Sequence, residues 1–76
     1  MEPHYTGQYV VWPGHEHAEI IVTDPAGHRV VEHELPIDAT GRAAWDWALH
    51  VLGWRRTGTW EPDELGYRCA VERGAR

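Results

Sequence analysis

The sequence predicts an α+β fold of order β-β-β-α-β-β, with one amphipathic helix packed on an antiparallel sheet. Three observations carry this reading. Asp24-Pro25-Ala26-Gly27 is a turn sequence between two β-prone runs. Trp45, Ala48, Leu49 and Leu52 recur at i, i+3, i+4 and i+7, which is one face of a helix. After Gly53 the pattern returns to a period of two. The 76 residues read as one domain, with 1–7 and 73–76 as frayed ends.

Gln8 to Trp12 is short and β-prone, and Pro13-Gly14 ends it. His17 to Thr23 is the second strand, centred on Ile20-Ile21-Val22. The turn has Asp first, Pro second and Gly fourth, the preferences of type I. His28 to Leu35 completes the hairpin. With Gly27 left-handed as a bulge, Val22 pairs with Val30 and Ile21 with Val31. Pro36 closes the third strand.

Asp38 is the expected helix N-cap, with Thr40 as competitor. The helix runs to about Leu52, and Gly53 stands where a left-handed glycine belongs. Gly41 falls on the buried stripe and would permit a close approach to the sheet. Trp54 to Trp60 reads as the fourth strand, Glu61 to Glu64 as an acidic loop, and Gly66 to Glu72 as the fifth strand. The predicted core is Val11, Ile21, Val31, Trp45, Ala48, Leu49, Leu52 and Val71, with one of Trp54 or Trp60.

Composition sharpens the question of function. There are five Trp and no Phe. A core of this size hides roughly two or three indoles. The remainder must lie partly exposed or be covered by a partner, and indoles are favoured at contact surfaces. Cys69 is the single cysteine, so no disulfide forms within the chain, and a reducing compartment is expected. Residues 1–8 are polar with no apolar signal segment, and no run approaches the ~20 apolar residues of a membrane span. The expected location is the cytoplasm.

Lys, Asn and Ser are absent as well. Their absence removes a serine nucleophile, a Schiff-base or phosphate-loop lysine and a glycosylation acceptor. Missing AT-rich codons also point to a high-GC bacterial genome, which weakens any reading of Arg over Lys as a functional choice. The net charge of −5 is uneven. Residues 1–38 hold seven acids against Arg29, while 39–76 hold five acids against six Arg. The acidic half reads as a solvated face, or as one that attracts Arg-rich partners.

Four groups of residues are candidate sites. Trp47 points nearly opposite Trp45 on the helix, with His50 and Val51 beside it. It is either covered by the segment around Tyr5 and Tyr9 or free to contact a partner. Arg55 and Arg56 between Trp54 and Trp60 resemble a basic strand with stacking platforms, as single-stranded nucleic-acid binders use. The plainer reading is buried indoles and solvated arginines. His15, His17 and Glu19 share one strand face, and in the expected register Glu19 lies opposite His33. Those four residues have the chemistry to hold Zn²⁺ or another divalent ion. The plainer reading is an exposed strand end. Cys69 alternates with Tyr67 and Val71, as a buried inert thiol does. No carboxylate pair, triad or phosphate loop is present. The leading expectation is a non-enzymatic protein–protein interaction module that contacts a protein partner or self-associates as a homodimer. Nucleic-acid binding is the second expectation, and metal binding with Zn²⁺ the third.

Overall fold

The turn at Asp24 organises the first hairpin of the computed structural model, which describes residues 4–14, 16–36, 38 and 41–74. Gly27 N–H donates to Asp24 O at 2.9 Å, and Asp24 N–H donates to His28 O at 2.9 Å. Asp24 Oδ1 accepts the backbone N–H groups of Ala26 and His28. Those donors, that of His28 foremost, hold the carboxyl below its ordinary value. Gly27 has φ +90°, the left-handed conformation that this turn requires.

The strands are β1 (Tyr5–Val11), β2 (His17–Thr23), β3 (Arg29–Pro36), β4 (Trp54–Arg56), β5 (Glu61–Pro62) and β6 (Gly66–Arg73). The helix α1 spans Arg42–Val51. This is a small α+β domain with six strands in one antiparallel sheet, ordered β3-β2-β1-β6-β4, with β5 also paired to β6. The chain order matches the sequence reading, with one addition. The run from Trp54 to Trp60 is not one strand. The pairing of β4 and β5 with β6 is interrupted around Gly58, where Thr57 and Gly58 both donate to Ala70 O. β1 begins at Tyr5 because it pairs on both sides, with β2 and with β6.

The hairpin register departs from expectation by one residue. Thr23 pairs with Arg29, but Val22 pairs with Val31 and Ile21 with Glu32. Val30 is the extra residue, and it is exposed. The physical reason is burial. Without the extra residue, Glu32 and Glu34 would lie opposite Ile20 and Ala18, both fully buried. The shift instead sets Val31 and Leu35 opposite Val22 and Ala18. A one-residue slip exchanges the faces of a strand, so the apolar set decides the register.

The helix also starts late. Its N-cap is Gly41, with φ 102° and no side-chain cap. Asp38 lies too far upstream to cap it, and Thr40 lies outside the described residues. Gly41 O accepts the N–H groups of Ala44 and Trp45. A Cβ on Gly41 would meet nothing within 4 Å, so it makes no close approach to the sheet. Gly7 does, since a Cβ there would lie 2.9 Å from Val71 and 3.4 Å from Leu49. Gly53 N–H donates to His50 O at 3.0 Å and ends the helix as expected.

The main cluster joins Trp45, Ala48 and Leu49 of α1 to Tyr9, Ala18, Ile20, Val22, Cys69 and Val71 of the sheet. Trp54 and Trp60 both belong to it, where the sequence reading had room for one. Trp45 stacks on Tyr9 at 4.2 Å and meets Trp60 edge-on at 5.3 Å. Val11, Val31 and Leu52 are only partly buried at its margin. Ile21 is buried but stands outside this cluster, on the opposite face of the sheet from its neighbours Ile20 and Val22.

Candidate functional site

Helical geometry separates the indoles of Trp45 and Trp47 by about 200°. Trp45 is 6% exposed and Trp47 is 65% exposed. Neither Tyr5 nor Tyr9 covers Trp47. Tyr9 stacks on Trp45, and Tyr5 packs against Trp54 at 4.9 Å. One turn on, the His50 ring lies 5.7 Å from the Trp47 ring. Val51 is 51% exposed beside them. The three residues make one outward patch on α1.

A shallow depression adjoins this patch through His50, and Asp46, Trp54, Arg55, Arg56 and Gly74 also line it. Its polar wall is a network. Arg56 donates to both oxygens of Asp46, at 2.9 and 3.2 Å, and to Gly58 O at 2.7 Å. Trp60 Nε1 donates to Asp46 Oδ1 at 2.8 Å. Burial pushes the Asp46 carboxyl up, but the hydrogen bonds from Arg56 and Trp60 outweigh it and leave the group below its ordinary value. The same contact with Asp46 holds the Arg56 guanidinium above its ordinary value.

The residues of the nucleic-acid reading are placed elsewhere than that reading needs. Trp54 and Trp60 are 3% and 2% exposed, so neither offers a ring face for a base to stack on. Arg73 already lies over Trp54, 4.8 Å from the ring centre. Arg56 is held by Asp46, and Arg55 Nη2 is 2.7 Å from Glu72.

The expected metal cluster is divided by the register. His33 pairs with Ile20 and so shares the helix-side face, whereas His17 and Glu19 point to the other face. Glu19 faces Glu34 rather than His33, and His17 Nε2 lies 3.5 Å from Glu34. His15 lies outside the described residues. Among the described residues, no group of three His, Cys, Asp or Glu is placed to hold a metal ion.

Cys69 is buried, and burial pushes its thiol up to about 12. The thiolate that nucleophilic chemistry needs is therefore scarce. Two polar links were not legible in the sequence. One is Asp46–Arg56–Trp60, whose members lie 10 and 14 residues apart. The other is Trp12 Nε1 donating to Glu19 at 2.6 Å. Only the placement of Asp46 between two tryptophans hinted at the first.

No protein-family model, no curated protein and no solved structure matches this chain. No helix among the described residues is long and apolar enough to cross a membrane.

Proposed function

We propose that the protein is a non-enzymatic interaction module whose outer helix patch docks a protein partner, first of all a second copy of this chain. One observation carries the reading: Trp47 is 65% exposed with Val51 beside it, while Trp45, Trp54 and Trp60 are buried. In this reading α1 is an amphipathic element packed on the sheet through Trp45, Ala48 and Leu49. Its other side is left for a partner. An indole that the chain's own core does not use is the kind of side chain that anchors contacts.

Self-association has specific support. A projecting indole and the depression beside it lie on one face of one chain. A two-fold contact requires such self-complementarity. Covering Trp47 removes about 150 Å² from water, worth about 4 kcal/mol gross per copy. Lost rigid-body freedom takes back 4 kcal/mol or more, on the order of the gain from one copy. The dimer is therefore weak. The single cysteine is compatible with the reducing, cytoplasmic setting that this reading expects. Burial, which raises its pKa, argues against Cys69 itself acting as a nucleophile.

Sedimentation velocity over a wide concentration range tests the proposal. The wild type shifts toward dimer at high concentration, and Trp47→Ala stays monomeric with a melting temperature close to wild type. A wild-type chain that is monomeric into the millimolar range, with an unshifted Trp47 indole resonance, would refute it.

A further inference from the structure

The sheet face turned away from α1 carries a small apolar site of its own. Val10 and Ile21 lie there, 6% and 3% exposed, although neither belongs to the main cluster. They floor a depression of ≈ 230 Å³ walled by Trp12 and Leu65. Its rim carries Asp63, Glu64, Gln8 and Arg29. The volume is below the 300–1,000 Å³ typical of small-molecule pockets and suits one side chain.

We propose that this depression receives an arginine side chain of a partner protein, with its guanidinium against the Trp12 indole and the Asp63 and Glu64 carboxylates. Charge argues for the cation. Arg29, the cation on the rim, is already matched by Glu32 at 2.6 Å. Among the described residues, Asp63 accepts only from neutral donors, the Gln8 amide at 3.4 Å and the Glu64 backbone N–H at 2.7 Å. Neither carboxylate is in an ion pair among the described residues, although Arg68 lies opposite Gln8 on the same face. Trp12 is held in place, since Glu19 accepts its N–H at 2.6 Å. A planar guanidinium stacks on an indole while its edge pairs with carboxylates, which an ammonium cannot do. The apolar floor suits the methylene stem.

The site is independent of the Trp47 patch, which lies on the helix. NMR titration of the labelled protein tests it, with acetyl-Gly-Arg-Gly-amide as probe and the citrulline peptide as its neutral control. The arginine peptide should shift the Trp12 indole and Leu65 methyl signals saturably, and the citrulline peptide should not. Asp63→Asn with Glu64→Gln should weaken binding about fivefold or more. Arg29→Gln should strengthen it, because it removes a positive charge from the rim and leaves Glu32 without its partner. Trp47→Ala should leave the titration unchanged, so failure here is distinguishable from failure of self-association. No saturable shift, an equal response to citrulline or lysine peptides, or unchanged affinity in the double variant would overturn the proposal.

Discussion

Trp45→Phe and Trp60→Phe remove the same atoms from two indoles of one cluster, and their costs should differ widely. The rings are 6% and 2% exposed and meet edge-on at 5.3 Å. What separates them is the ring nitrogen. Trp60 Nε1 donates to Asp46 at 2.8 Å, whereas Trp45 Nε1 is buried with no hydrogen-bond partner among the described residues. The smaller ring gives up about 2 kcal/mol at either site, counting lost transfer energy and the cavity left behind. At Trp60 the variant also loses a hydrogen bond to a charged acceptor, worth about 1.5–3 kcal/mol. The total there is about 3.5–5 kcal/mol. At Trp45 the variant removes an unsatisfied buried donor, which returns about 1–3 kcal/mol. The net change at Trp45 should then fall within about 1 kcal/mol of zero. Urea unfolding followed by far-UV circular dichroism measures both, with slopes compared to confirm a common denatured state. Equal losses at the two sites, or a larger loss at Trp45, would refute the reasoning. Such a result would mean that Trp45 Nε1 does have a hydrogen-bond partner.

Gly66→Ala should cost more than about 3 kcal/mol in a thermal or urea melt, because its Cβ would overlap the Tyr9 carbonyl where β6 meets β1. Gly58→Ala is the control, since its Cβ would sit at ordinary contact, 3.6 Å from Ala70. Asp46 should contribute an acid limb to stability. Its folded pKa lies below the ordinary 3.8, so its contribution is present above that value and is lost as the pH falls through the lowered one. The stability gap between wild type and Asp46→Asn should therefore close on acidification, and a gap that is constant with pH would count against the network. Cys69 should resist iodoacetamide at about pH 8 until urea unfolds the chain, given a thiol pushed up to about 12 by burial.

Much of the framework was legible because it rests on short-range rules. β2 has the bounds that its Ile-Ile-Val centre indicates, and the Asp24–Gly27 turn forms with glycine left-handed. The stripe of Trp45, Ala48 and Leu49 is buried, and Trp47 faces outward, because both follow from 100° per residue. The N-cap departs from the expected Asp38 for a reason of the same kind. Asp38 is the better capping residue, but the chain enters the helix through Gly41 in a conformation few other residues adopt.

The sequence by itself determined the order of elements, the turn, the buried helix stripe and the indole left outside it. Each depends on residues within one or two turns of one another. The tertiary structure alone decided the sheet order, the extra residue at Val30, the burial of both Trp54 and Trp60, and the Asp46–Arg56–Trp60 network. It also decided that His33 parts from His17 and Glu19, and that Val10 and Ile21 line a depression on the face away from the helix. These outcomes depend on which face of each strand meets the helix. Periodicity states that a strand has two faces, but only competition for burial among distant segments assigns one of them to the core.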